Sequence, residues 1–286
     1  MKRWMATPVG AWRAVVTKPL LFGANLLGLP ILLAAVWAWL YIPVSNVPLV
    51  LLSVGLMLIV VLALLLLTAY TYNCYYVTHH SMRPISSEGI HLPTMPVVRR
   101  TISALPWLAA WFVVFGFLCL SISWVSGLTL EWAKPVASWI TMASQKPVSF
   151  YSVNAVFETI LQLIRWLVLP LVFFASFAGF ATAALRKGRK RSWQWHALGM
   201  LRSPHYWLAW LAFAVVGVWL PAKLVSWVPP LDGIALATGS MLLRFGLALA
   251  IAVLCWLVFL SVLARLTKQS SQSVIVLPRQ PHSRPA

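Results

Sequence analysis

Residues 49–70 read "LVLLSVGLMLIVVLALLLLTAY", a stretch with no charged side chain and no alternation of apolar and polar positions. A helix of that length rises about 33 Å, enough to cross a hydrocarbon core of about 30 Å. A strand of a transmembrane barrel would instead alternate over about ten residues. This stretch therefore predicts a membrane-spanning helix. Comparable runs recur at about 19–42, 49–72, 105–127, 155–185, 204–224 and 238–266. The expected fold is all-α: a polytopic integral membrane protein with six transmembrane helices.

Composition agrees. The chain is 61% hydrophobic and 9% charged, where soluble domains carry about 25% charged residues. Cys74, Cys119 and Cys255 lie on or within apolar segments without paired spacing. They read as small buried hydrophobes rather than a disulfide framework or a zinc site. About 18 residues precede the first apolar run, and no small-x-small cleavage site follows it, so the first span is expected to be retained.

The net charge of +18 comes from 22 Lys and Arg against four acids. Its placement orients the chain. With the amino terminus cytoplasmic, that side collects Lys2, Arg3, Arg13, Lys18, Arg83, Arg99, Arg100, Arg186, Lys187, Arg189, Lys190, Arg191, Arg202, Arg265, Lys268, Arg279 and Arg284. The opposite side receives Lys134, Lys146 and Lys223, while Arg165 and Arg244 sit at span ends. Seventeen cations against three put both termini in the cytoplasm.

The run "RKGRKRSWQW" (186–195) is then the cytoplasmic end of the fourth span. Arg186, Lys187, Arg189, Lys190 and Arg191 are the expected contacts with anionic phospholipid, and the tryptophans suit headgroup depth. Nucleic acid is not an expected partner. Arg165 and Arg186 bracket twenty uncharged residues, as do Arg244 and Arg265. Each bracket measures about 30 Å, so all four arginines can hold their heads at an interface.

The spans fall into three hairpins, each preceded by a short amphipathic stretch and a proline: "AWRAVVTKP" (11–19), "VVRRTISALP" (97–106) and "WHALGMLRSP" (195–204). In the second, Val98, Thr101, Ile102 and Leu105 share a face turned away from Arg99, Arg100 and Ser103. Pro19, Pro106 and Pro204 suit a first helical turn, where no partner for the N–H is needed. The expectation is three interfacial helices, each turning into the membrane. Residues 1–18 form the first such segment, 19–266 the six-helix domain, and the Ser-, Gln- and Pro-rich stretch 267–286 a disordered cytoplasmic tail.

The connection 128–154 is long. Glu131, Lys134, Ser138, Thr141 and Gln145 recur at helical spacing opposite Trp132, Val136, Trp139 and Ala143. Pro135 marks the start of an expected outer interfacial helix at about 135–145.

Polar side chains near membrane depth are the best candidates for a site. Asn154, Glu158, Gln162 and Arg165 follow at i, i+4, i+8 and i+11, close to one face of the fourth helix. Glu158 and Arg165 are expected to neutralise one another through Gln162, with Arg244 and Asp232 as neighbours. This stripe is either a structural polar seam between outer helix ends or a vestibule for a headgroup or solute. Cys74, His79, His80 and His91 lack the short paired spacings of a zinc site, so no metal is expected. Ala175, Gly179 and Ala183 form a small-residue ridge for close helix packing, and Pro170 is expected to kink the fourth helix.

No phosphate loop, H-E-x-x-H or G-x-S-x-G occurs, and four acids leave little for acid–base work. The expectation is a non-enzymatic scaffold or accessory subunit of a bacterial cytoplasmic membrane, without cofactor, contacting lipid or a membrane protein partner. The alternative is a transporter or lipid-handling permease that uses the outer polar seam of Glu158, Gln162, Arg165 and Arg244.

Overall fold

The computed structural model describes residues 2–43, 45–80, 94–183, 195–229 and 233–273. Among these every element is a helix, joined by short connections, with no strand. Six helical stretches are long and apolar enough to cross a membrane: Pro19–Leu40, Val47–His79, Val97–Ser144, Phe150–Thr182, Pro204–Ser226 and Ile234–Gln269.

The elements are α1 (Lys2–Val16), α2 (Pro19–Leu40), α3 (Val47–His80), α4 (Thr94–Ser144), α5 (Phe150–Leu163), α6 (Leu169–Ala183), α7 (Pro204–Ala212), α8 (Leu220–Ser226) and α9 (Ile234–Ser273). Pro19 and Pro204 open α2 and α7, where a missing N–H costs nothing. A 3₁₀ segment, Trp195–Arg202, leads into α7.

Pro106 does not open a helix. The stretch 97–106, the third span and the segment near 135–145 form one helix, α4, 51 residues long. Pro106 and Pro135 lie inside it and are exposed. Each removes a single backbone donor and crowds the carbonyl four residues before it, at Ile102 and Glu131, yet the helix runs on through both. The break expected at Pro135 is absent.

Pro170 and Pro221 act differently. Each is preceded by a π segment, Ile164–Val168 between α5 and α6 and Phe213–Trp219 between α7 and α8. Leu169 N donates to Ile164 O and Leu220 N to Val215 O, five residues back rather than four. A proline ring presses on the carbonyl four residues before it, and a wider preceding turn relieves that contact. The interruption expected at Pro170 thus takes the form of a π turn.

The chain divides into two compact units. Unit 1 comprises Met1–Leu105 and Ala178–Ala286; unit 2 is Pro106–Phe177. In unit 1, α9 is central: α1, α2, α3, α7, α8 and the 3₁₀ segment all pack on it. From Leu257 to Thr267 nearly every residue is buried, the mark of a helix enclosed on all sides. Tyr206, Trp210, Phe213 and Trp256 gather around Phe259 with ring centroids 5.4–6.4 Å apart.

The disorder expected from residue 267 does not hold for residues 267–273. Residues 267–273 continue α9, and Thr267 is buried. Tyr72 Oη donates to Thr267 Oγ1 (3.0 Å), and Lys268 Nζ donates to His79 O. These bonds to α3 hold the turn in the helix. Residues 274–286 lie outside the described residues.

Unit 2 is the antiparallel pair of α4 with α5 and the first part of α6. Ala133 and Ala137 of α4 meet Val153 of α5 in a small core, flanked by Val136, Ile140, Val148, Phe150 and Phe157. Alanines four apart let the two backbones approach. Gln145, at φ +53°, takes the left-handed position that ends α4. Ser149 then caps α5, its hydroxyl accepting from Tyr151 N. The fourth helix therefore starts at Phe150, five residues before its apolar run. At the other end Phe115 lies 4.5 Å from Phe173, centroid to centroid, and Trp111 Nε1 donates to Phe173 O at 3.4 Å.

Candidate functional site

The stripe on α5 faces α4. Glu158 meets two hydroxyls across the pair: Ser126 Oγ lies 3.0 and 2.8 Å from its two carboxylate oxygens, and Thr129 Oγ1 donates at 2.6 Å. Thr129 is buried. These are charge-assisted hydrogen bonds of the short, strong kind.

Arg165 is not Glu158's partner. Two turns, about 10 Å of rise, separate them along the helix, whereas Ser126 and Thr129 stand directly opposite the carboxylate. The Arg165 guanidinium instead lies 5.9 Å from the centre of the Trp166 ring. Gln162 Oε1 accepts from Trp166 Nε1 at 3.0 Å. The neutralisation expected through Gln162 is thus replaced by hydroxyls on one side and an indole on the other.

The seam still converges. Ser123, Ser126, Gln162 and Arg165, with Ile122 and Leu161, line a cavity of about 120 Å³. Through Ser126 it adjoins Glu158, so a hydroxyl-bound carboxylate and the Arg165 side chain lie at one small polar space. Asn154, one turn before Glu158, keeps its Oδ1 buried without a hydrogen-bond partner. Arg244 belongs to unit 1: its Nε donates to Ser240 O at 3.1 Å, and its Nη1 is buried without a partner. Asp232 lies outside the described residues.

A second polar network, in unit 1, escaped the sequence reading. Asn25 Nδ2 donates to Leu21 O (2.8 Å) and Thr71 Oγ1 (3.0 Å), tying α2 to α3. Asn73 Nδ2 donates to Thr101 Oγ1 (3.0 Å), tying α3 to the start of α4. Ser261 Oγ donates to Ala11 O (3.3 Å) and lies 3.2 Å from His79 Nε2, joining α9 to α1 and α3. All five residues Asn25, Thr71, Asn73, Thr101 and Ser261 are buried. The signal was available in "TAYTYNCYY" (68–76), a polar and aromatic run inside an otherwise aliphatic helix. It was read only for its cysteine and the histidines after it.

Cys74 is buried and its carbonyl accepts from Lys18 Nζ at 3.4 Å. Among the described residues no three His, Cys, Asp or Glu side chains gather. The His80 side chain, His91, and the cluster Arg186, Lys187, Arg189, Lys190 and Arg191 lie outside the described residues. No protein-family model, no curated protein and no solved structure matches the chain.

Proposed function

We propose that the protein is a non-enzymatic scaffold or accessory subunit of a bacterial cytoplasmic membrane that offers the outer limb of unit 2 to a membrane protein partner. Its six spans run as three hairpins with both termini in the cytoplasm, the arrangement favoured by the seventeen-to-three split of cations. The cationic run at Arg186–Arg191 rests on anionic phospholipid.

The observation that carries this reading is the length of apolar surface on α4. Val113, Phe117, Leu120, Trp124, Trp139 and Met142 are all exposed and fall within a stripe about 100° wide. From exposed Trp107 to Met142 is about 52 Å of helix, and about 40 Å even at a steep 40° tilt. A hydrocarbon core of about 30 Å cannot cover it. Trp139 and Met142 therefore fall beyond the acyl chains at either tilt, and although exposed Glu131 and Ser138 interrupt the stripe there, two large apolar side chains left in water ask for protein. Exposed Trp124 and Trp166 mark the level at which the chain leaves the bilayer.

The test is a photo-crosslinking amino acid placed at Trp139 and Met142 in living cells. The reading expects one discrete polypeptide adduct at both positions and none at Leu243, an equally exposed residue of unit 1. Lipid adducts alone at Trp139 would remove the partner. Topology is checked separately: a reporter fused after Ala286 reads cytoplasmic, and a cysteine at Ser144 reacts with an impermeant maleimide from outside.

A second reading is favoured by the cavity beside Glu158. A permease or lipid-handling protein would use Glu158, Gln162 and Arg165 as a polar vestibule. Exchanging Glu158→Gln together with Arg165→Gln leaves flux and lipid binding unchanged under the scaffold reading and abolishes them under this one.

A further inference from the structure

Unit 1 contains a groove unrelated to the polar seam. It encloses about 510 Å³ between α1, α7, the second π segment and α9, within the range typical of small-molecule sites. Trp12, Ala209, Ala212, Phe213, Leu254 and Val258 line it. His205 and Cys255 are the polar exceptions.

Its length and its two ends are informative. Along the α7 side the lining runs from His205 to Val216, eleven steps or about 16 Å. That is half of a hydrocarbon core of about 30 Å, the depth of one leaflet. Just past Val216 the groove closes. A Cβ on Gly217 would stand 2.9 Å from Cys255 Cβ and 2.8 Å from Phe213 Cδ2, so the π segment and α9 touch there as closely as a glycine allows. At the other end stands His205, with Arg202 three residues before it and Arg13 next to Trp12; both arginines are exposed. The groove is thus mostly apolar along its length and shut at Gly217, and two exposed cations, Arg13 and Arg202, stand close in sequence to the lining residues Trp12 and His205.

We infer that this groove holds one acyl chain of an anionic phospholipid from the inner leaflet, with the headgroup phosphate at Arg13, Arg202 and His205. A transmembrane helix of a partner would run on across the whole hydrocarbon core, past the point at Gly217 where the groove shuts, so the groove could follow only about half of it. A neutral lipid satisfies the groove but leaves Arg13 and Arg202 unmatched, and each nearby cation favours an anionic headgroup by about 1 kcal/mol. The inference relies on the membrane placement of unit 1 and not on the partner proposed for unit 2.

The experiment uses the full chain in nanodiscs of phosphatidylcholine containing a small fraction of phosphatidylglycerol with a photoreactive diazirine in its acyl chain. Irradiation and peptide mapping are expected to place adducts mainly on the peptides covering 205–216 and 254–262. Filling the groove with Ala209→Phe and Ala212→Phe lowers those adducts by about tenfold, whereas Leu243→Phe, outside the groove, leaves them unchanged. The same diazirine on phosphatidylcholine labels the groove several-fold less, and Arg13→Gln with Arg202→Gln removes that difference. Adducts spread over all six spans in proportion to exposure would overturn the site, as would unchanged labelling of the filled variant. Equal labelling by both lipids in the wild-type chain would overturn the anionic assignment. Should the filled variant fail to fold, the wild-type map and the comparison of the two lipids still decide the matter. A missing polypeptide adduct at Trp139 touches neither result.

Discussion

In the most apolar window of Ile234–Gln269 half the residues are buried, whereas in that of Val97–Ser144 the share is 6%. The two helices have similar composition, so apolarity alone does not decide which is enclosed. Lipid tails solvate leucine as well as another leucine does, and a helix in a bilayer gains little by hiding apolar surface. What differs is the traffic of polar groups. Around α9 the hydroxyls and amides of Asn25, Thr71, Tyr72, Asn73, Thr101, Ser261 and Thr267 bond across helices, and all are buried. Among the described residues unit 2 carries fewer such bonds, Glu158 with Ser126 and Thr129 and Trp111 Nε1 with Phe173 O, and its small core is alanine, valine, isoleucine and phenylalanine. Protein encloses protein where there are polar groups to satisfy, and elsewhere the helices face outward.

That contrast can be broken by substitution. The largest effect is expected at Phe259, which is 2% exposed and central to the aromatic group on α9. Phe259→Ala should cost about 3–5 kcal/mol in a denaturant titration of the full chain. A loss below 1 kcal/mol would mean that unit 1 is no better packed than unit 2. Next comes Gly217→Val, which drives a side chain into Cys255 Cβ and the Phe213 ring. Overpacking of that kind costs about 1–3 kcal/mol, and unit 1 should become more protease-sensitive while adducts from Trp139 persist. Smaller still is the Asn73–Thr101 bond. A double-mutant cycle with Asn73→Leu and Thr101→Val should give a coupling of about 0.6 kcal/mol, and at most about 1.7. Thr101→Val should be the costlier single change. It strands Asn73 Nδ2, whereas Asn73→Leu also removes an Oδ1 that is buried without a partner.

The spans were legible because a stretch such as 49–70 has one physical reading, and all six stretches contain a helix long enough to cross. Pro19 and Pro204 were legible for a similar reason: a helix start tolerates a missing donor. Pro106 and Pro135 were not. An interior proline crowds a carbonyl of its own helix, and the local sequence does not decide whether the helix absorbs that strain, as at Pro106 and Pro135, or widens into a π turn, as before Pro170. The candidate stripe was half legible. Periodicity put Asn154, Glu158, Gln162 and Arg165 on one face; Gln162 and Arg165 border a common space, and Glu158 adjoins it through Ser126. The partners of Glu158 come from 29 and 32 residues earlier, a separation no local spacing can reveal. The network around Asn73 was missed because asparagine, threonine and tyrosine carry no motif; only their setting in an aliphatic helix sets them apart.

The smallest change in stability is expected from the most prominent side chain of unit 2. Trp139 is 67% exposed, and its neighbours along the stripe are other exposed residues rather than a core. Trp139→Ala removes more atoms than Phe259→Ala, so a ledger of side-chain size alone would rank it first. Its cavity cost is nil, since nothing packs around it to leave a void. The unfolding midpoint of the purified chain should therefore not move. In cells the order reverses: if a partner covers the outer limb, a large exposed indole is the type of residue that anchors such a contact, and Trp139→Ala should sharply reduce the adduct formed from a crosslinker at Met142. A lowered midpoint with an undiminished adduct would place Trp139 inside the fold of its own chain, and the contrast between an enclosed unit and an outward-facing one would fail at its clearest residue.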